Sequence, residues 1–107
     1  MEFTELTRRA LEIRGHFAAA ELAHSGRPWS RAEVAQGFVC DVGDLMKLLM
    51  AKDGRRPAAN LEARLAHELA DCLWSILVLA KLCDVDLEKA FVTTMDELEQ
   101  RLRLPPG

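Results

Sequence analysis

Apolar positions along the chain recur every three or four residues, the period of a helix buried on one side. Leu6, Ala10, Ile13, Phe17 and Ala20 keep this spacing with Arg and Glu between them, which predicts a first helix over about Thr4–Ala23. Gly26 and Pro28 interrupt the pattern. A second helix is predicted over about Arg31–Ala51. Its start is marked by the capping box Ser30-Arg-Ala-Glu33, with Trp29 and Val34 placed as a hydrophobic staple. Gly54 and Pro57 end it. A third helix is predicted over about Leu61–Cys83 with Asn60 as candidate cap, and a fourth over about Leu87–Leu102 capped by Asp86. Pro105 and Pro106 close the chain in a short Pro-rich tail, 104–107. No segment sustains the alternation of a half-buried strand. The expectation is all-α: one domain over 1–107, a four-helix bundle with connections of roughly 5–10 residues.

The third helix departs from the one-sided pattern. From Leu69 to Leu82 it is apolar nearly all round. Such a helix is buried on most sides, and four helices in a chain of 107 residues have trouble covering it. A chain this short buries only about 60–70% of its unfolded surface. A homodimer or tetramer that completes the bundle is therefore expected.

Composition narrows the class. Hydrophobic residues at 50% supply ample material for a core, which excludes disorder. The charge of -3, from 14 basic and 17 acidic residues, argues against a partner that is a nucleic-acid polymer, because phosphate-backbone binding needs a basic surplus. The longest uncharged apolar run, Cys72 to Ala80, is far below the roughly 20 residues that span a bilayer, so no membrane partner is expected. Glu2 and Glu5 with no apolar run behind them do not read as a signal peptide. Cys40, Cys72 and Cys83 are odd in number and lie in apolar segments, as reduced, buried thiols of a cytoplasmic protein do.

Four carboxylates stand out against this background. Asp41 and Asp44 sit in Gly37-Phe-Val-Cys-Asp-Val-Gly-Asp-Leu-Met, and Glu68 and Asp71 in His67-Glu-Leu-Ala-Asp-Cys-Leu-Trp. Residues three apart share a helix face, so each helix carries an acidic pair on one stripe. Asp is a poor residue for a helix interior, and an ionised carboxylate among apolar groups is costly without a partner. Lys47 and Lys81 supply only part of the counter-charge. One pair on each of two facing helices makes an all-oxygen cage, which favours Mg²⁺ or Mn²⁺ over zinc. The alternative is that each pair lies on a solvated or salt-bridged face. Gly43, between the two aspartates, fits either a close-lying ligand or backbone or tight helix packing.

These residues resemble the MazG-like, all-α nucleoside triphosphate pyrophosphohydrolases, a group that includes dCTP pyrophosphatases and dimeric dUTPases. The family pattern is E-E-x-x-E on one helix and E-x-x-D on a later one. The first appears here as Cys40-Asp41-Val42-Gly43-Asp44, continued by Leu45, and the second intact as Glu68-Leu69-Ala70-Asp71. Cys72 to Ala80 is similar to the family's D-V-L-W-x-L helix, and Leu82 to Phe91 to its L-G-I-D-L-E-x-A link. The resemblance covers about residues 28–98. It implies hydrolysis of a nucleotide between the α- and β-phosphates, releasing monophosphate and pyrophosphate. It also implies a metal, with Asp41, Asp44, Glu68 and Asp71 as its ligands and as the catalytic set. Three departures are visible. Cys40 takes the first acidic position, two expected glutamates are aspartates, and the K-M-x-x-N of the last helix is Thr94-Met95-Asp96-Glu97-Leu98, with Arg101 and Arg103 as candidate replacements.

Several residues carry two readings. Lys47, three beyond Asp44, either meets a substrate phosphate or pairs with a site carboxylate. Lys52, Arg55 and Arg56 form a basic loop that catches a pyrophosphate end or simply complements the C-terminal end of the second helix. Trp29 either stacks on a base or serves only as the staple, while Trp74 and the phenylalanines read as packing. His16 reads as a pocket or a structural histidine. His67-Glu68-x-x-Asp71 lacks the second histidine of a zinc helix, Glu21-x-x-His24 is half of a di-iron pattern, and Cys40 has no legible activating partner. The leading expectation is a Mg²⁺-dependent nucleotide pyrophosphohydrolase. The second is a non-catalytic MazG-like protein that binds a nucleotide or a helical partner.

Overall fold

The computed structural model describes residues 1–103, and within them the chain forms four helices and no strands. The proposed tail 104–107 lies outside the described residues. The helices are α1 (Phe3–Ser25), α2 (Arg31–Lys52), α3 (Leu61–Leu82) and α4 (Leu87–Arg103). All four expected helices are present, with ends within two residues of expectation.

The ends follow from local chemistry. Gly26 stops α1 in the left-handed region, φ 85°, where its N–H donates to the Leu22 carbonyl at 2.9 Å. The capping box of α2 is complete: Glu33 N–H donates to Ser30 Oγ at 3.3 Å, and Ser30 N–H to Glu33 Oε1 at 3.1 Å. Arg27 adds an ion pair to Glu33. The hydrogen bond from Arg27, then that from the Ser30 amide, hold the Glu33 carboxyl down at about 2. Asp86 caps α4, accepting from Lys89 N–H at 3.1 Å. Asn60 does not cap α3 with its side chain. Its backbone is left-handed, φ 53° and ψ 41°, whereas a capping side chain needs an extended backbone to reach the first amides.

α2 and α3 run antiparallel: Lys52 pairs with Glu62 next to the loop, and further along Asp44 and Asp41 meet Glu68. This pair of helices is the body of the protein. α1 packs on α3 through Ala10, whose carbonyl accepts from Trp74 Nε1–H at 3.1 Å, and through Phe17, whose ring meets Trp74 edge-on at 5.7 Å. The buried apolar residues are Ala10, Val34, Leu48, Cys72, Leu77 and Val78, with Val78 wholly enclosed.

The rest of the apolar surface is open. Leu69, Leu73 and Ile76 make an exposed stripe on α3, so the all-round burial expected of that helix is not reached within one chain. α4 buries none of its residues and exposes Phe91, Leu98 and Leu102. The radius of gyration is 17.4 Å, well above the roughly 13 Å of a compact 100-residue domain. Two thiols also depart from expectation: Cys72 is buried, but Cys40 and Cys83 are exposed. Cys40 lies on α2 at the edge of a cavity, and Cys83 in the turn that follows α3. No described helix is long and apolar enough to cross a membrane.

Candidate functional site

The antiparallel register of α2 and α3 decides the site. It sets the Asp41/Asp44 stripe against the Glu68/Asp71 stripe. Asp41, Asp44 and Glu68 each bring one carboxylate oxygen within 4.8 Å of the others. Glu68 also belongs to a second group of the same size, with His67 and Asp71. The two groups share Glu68, so the four expected carboxylates form one continuous cluster.

Burial is graded across it. Asp41, Glu68 and Asp71 are half-buried, while Asp44 and His67 are exposed. Burial raises the Asp41 carboxyl above its usual range, and the charges of Asp71 and Asp44 raise it further. Glu68 is raised in the same way, by burial first and then by Asp41, Asp71 and Asp44. The cluster therefore resists carrying its full negative charge. Among the described residues, His67 is the basic side chain beside a cluster carboxylate, with Nε2 3.1 Å from Asp71 Oδ2. Lys81 lies instead on a groove between α1 and the start of α4.

The donor set fits a hard divalent cation. All four groups are carboxylates, and Glu68 Oε2 is a buried oxygen with no hydrogen-bond partner among the described residues. A buried acceptor left unpaired costs about 1–3 kcal/mol, more when charged. A cation bound there relieves that cost and the mutual repulsion together. A Cβ at Gly43 would meet nothing within 4 Å, so packing inside the chain does not require this glycine. It leaves open space beside the aspartates.

The other expected site residues divide. Trp29 stands on the wall of a cavity of about 530 Å³ that reaches Asp41, together with Phe17, Gly37 and Trp74. Its ring lies along α2, with Cζ3 3.5 Å from where a Gly37 Cβ would be. Trp74 and Phe17 thus line a cavity as well as pack. Lys47 and Arg55 are exposed, and neither is ion-paired with a cluster carboxylate among the described residues. Lys52, from the same basic loop, is committed to Glu62. His16 is exposed and is not on the cavity wall. Cys40 is on that wall beside Asp41. Arg103 pairs with Glu99 of its own helix at 3.2 Å.

Sequence reasoning missed three residues here. His67 was set aside because a zinc helix needs a second histidine, yet one turn of helix is enough to bring it to Asp71. Arg14 and Glu21 lie seven apart on α1 and look like surface charges, yet they form a pair at 2.9 Å with side chains only 12% and 16% exposed. Their burial depends on how the chain returns at Trp29, which no local pattern announces.

Fold and site together define an all-α protein that sets carboxylates from two antiparallel helices around a place suited to a hard cation. The family model of the MazG nucleotide pyrophosphohydrolase domain matches residues 42–103, more than half of the chain. The chain belongs to that family. Asp44, Glu68 and Asp71 fall inside the matched segment, and Asp41 immediately precedes it. No significant match is found among curated proteins or among solved structures.

Proposed function

We propose that this protein is a metal-dependent nucleotide pyrophosphohydrolase that cleaves a nucleoside triphosphate to monophosphate and pyrophosphate. The observation that carries the reading is the convergence of Asp41, Asp44, Glu68 and Asp71, with one buried carboxylate oxygen unpartnered. These four would hold Mg²⁺, or Mn²⁺ in its place. The cation, when bound, supplies neutralisation of the polyphosphate and activation of water. The chain's residues orient it from two rigid helices. The space at Gly43 lets a phosphate approach the aspartates, and Trp29 offers its ring to the base. Lys47, on α2 one turn beyond Asp44, and Arg55, in the α2–α3 loop, would meet the far phosphates.

The working unit we propose is a homodimer or tetramer of a single-domain chain. Support comes from the exposed Leu69, Leu73 and Ile76 stripe and from α4, which leaves Phe91, Val92, Leu98 and Leu102 exposed. The proposed nucleotide substrate is consistent with an activity in the cytoplasm. A second reading, binding without turnover, is favoured by one observation: Cys40 offers a thiol on the cavity wall where the family pattern has a carboxylate.

The deciding experiment incubates the protein with Mg²⁺ or Mn²⁺ and a panel of nucleoside triphosphates and follows pyrophosphate release. Turnover that is abolished by Glu68→Gln and by Asp71→Asn is expected. No release across the panel, with metal binding intact, rejects the enzyme in favour of the binding reading.

A further inference from the structure

Trp29 belongs to neither flanking helix, since it precedes the cap of α2. Its amide and carbonyl have no helical partners, yet both are held. Glu21 Oε1 accepts from Trp29 N–H at 2.6 Å, and Arg14 Nη2 donates to the Trp29 carbonyl at 2.8 Å. Arg14 Nη1 closes the arrangement on Glu21 Oε1 at 2.9 Å. Two charged side chains of α1 thus grip one residue by both backbone groups. An ion pair this withdrawn from water gains little net stability, because desolvation offsets most of the attraction. Burial raises the Glu21 carboxyl, but the hydrogen bonds from Trp29 and Arg14 outweigh it and leave the group below its usual range. The grip is therefore charged at neutral pH.

What the grip holds is one wall of the cavity. Trp74 lines the same cavity, with Phe17 set against it at 75°. The Trp74 Nε1–H is already given to the Ala10 carbonyl, so this indole offers the cavity only its ring. Gly37, with no side chain, lets the Trp29 ring lie against α2, and Asp41 belongs to both the cavity and the acidic cluster. Arg14 and Glu21 line the cavity as well, and its aromatic side chains and its reach to Asp41 suit a planar heterocycle carrying a polyphosphate.

We infer that the Arg14–Glu21 ion pair is a positioning device that holds Trp29 as the wall of a nucleobase site between α1, α2 and α3. The inference rests on the proposed nucleotide reading for its ligand class. Recognition there is by stacking, which every base satisfies, so the site tolerates many bases.

The test uses the full chain with Mg²⁺. The probes are deoxycytidine and deoxyadenosine monophosphates, and inorganic triphosphate, which carries no base. Tryptophan fluorescence and calorimetry give affinities, and pyrophosphate release gives KM and kcat. Both monophosphates are expected to quench the wild-type fluorescence. Glu21→Gln is expected to weaken their binding by about five- to a hundredfold, the range for loss of one base–aromatic stack. Arg14→Lys, which keeps the charge but not the paired donors, is expected to fall between. KM rises with kcat nearly unchanged, and inorganic triphosphate binds all variants alike. Gly37→Leu fills the place where the Trp29 ring rests while leaving Arg14 and Glu21 unaltered; it is expected to keep the helical circular dichroism of wild type and to show the same loss. Unchanged monophosphate affinity in all three variants overturns the inference, as does parallel loss of inorganic triphosphate or no quenching of the wild type. Hydrolysis with unaffected variants rejects the inference alone. The expected binding pattern without hydrolysis rejects the enzymatic reading alone.

Discussion

Glu68→Gln tests the acidic cluster through stability, independently of turnover. Glu68 lies within 4.8 Å of carboxylate oxygens from both Asp41 and Asp44. At that separation one like-charge pair costs about 1 kcal/mol in water and about 3.5 kcal/mol at the effective dielectric of a protein surface. The cluster is open to solvent at Asp44, which favours the lower figure. A glutamine removes the charge and gives the neighbouring aspartates an N–H₂ donor, so the metal-free variant should be more stable than wild type by about 1–3 kcal/mol. A change of 1 kcal/mol moves Tm by roughly 4–8 °C in a domain of this size. The pH dependence has a definite sign. Burial, and then the neighbouring charges, raise the folded-state pKa of Glu68 above its ordinary 4.5. The metal-free wild type is thus penalised above the raised pKa. It regains stability as pH falls through that value, with the penalty gone below the ordinary one. Glu68→Gln should flatten this rise. Added Mg²⁺ should reverse the ranking, since ligand at a hundredfold its Kd stabilises wild type by about 2.7 kcal/mol. The assay is thermal unfolding from pH 7.5 to 5, with chelator and with Mg²⁺. A metal-free variant less stable than wild type, or equal Mg²⁺ shifts in the two proteins, refutes the clustered-charge argument.

Two further outcomes follow from the packing and the caps. The Glu33 carboxyl, held at about 2, favours the fold above its unfolded pKa, and that contribution disappears as pH falls toward 2. Ser30→Ala removes the acceptor of the Glu33 N–H and should cost about 1 kcal/mol at pH 7; Arg27→Ala removes the strongest hold on the Glu33 carboxylate, and its urea midpoints from pH 7 to 3 should show a smaller acid loss than wild type. Leu73→Lys places a charge in the middle of the exposed α3 stripe. If that stripe is the contact between copies, sedimentation should show a lighter species than wild type, and an unchanged mass assigns the contact to another surface.

Helix positions were legible because their signals are local. The Ser30/Glu33 box, the Gly26 stop and the Asp86 cap each work within three or four residues, and each is found as read. The acidic pairs were legible for the same reason, since a spacing of three fixes a common face. Asn60 was misjudged because capping depends on its backbone conformation as well as on its side chain. Cys40 and Cys83 were misjudged because an apolar neighbourhood in sequence does not fix which face meets another helix.

The amino-acid sequence by itself determined four helices, their ends, two carboxylate stripes and the family pattern that the stripes carry. These follow from hydrogen-bond geometry and periodicity over one or two turns. Tertiary structure decided what the stripes and charges became. The antiparallel register of α2 and α3 turned two surface-like pairs into one mutually repelling cluster with an unpartnered Glu68 oxygen. The return of the chain at Trp29 brought it to Arg14 and Glu21, 15 and 8 residues earlier, and made two ordinary helix charges into a buried grip. Electrostatic energy depends on distance through space and on solvent exclusion, and both are set only when the helices pack.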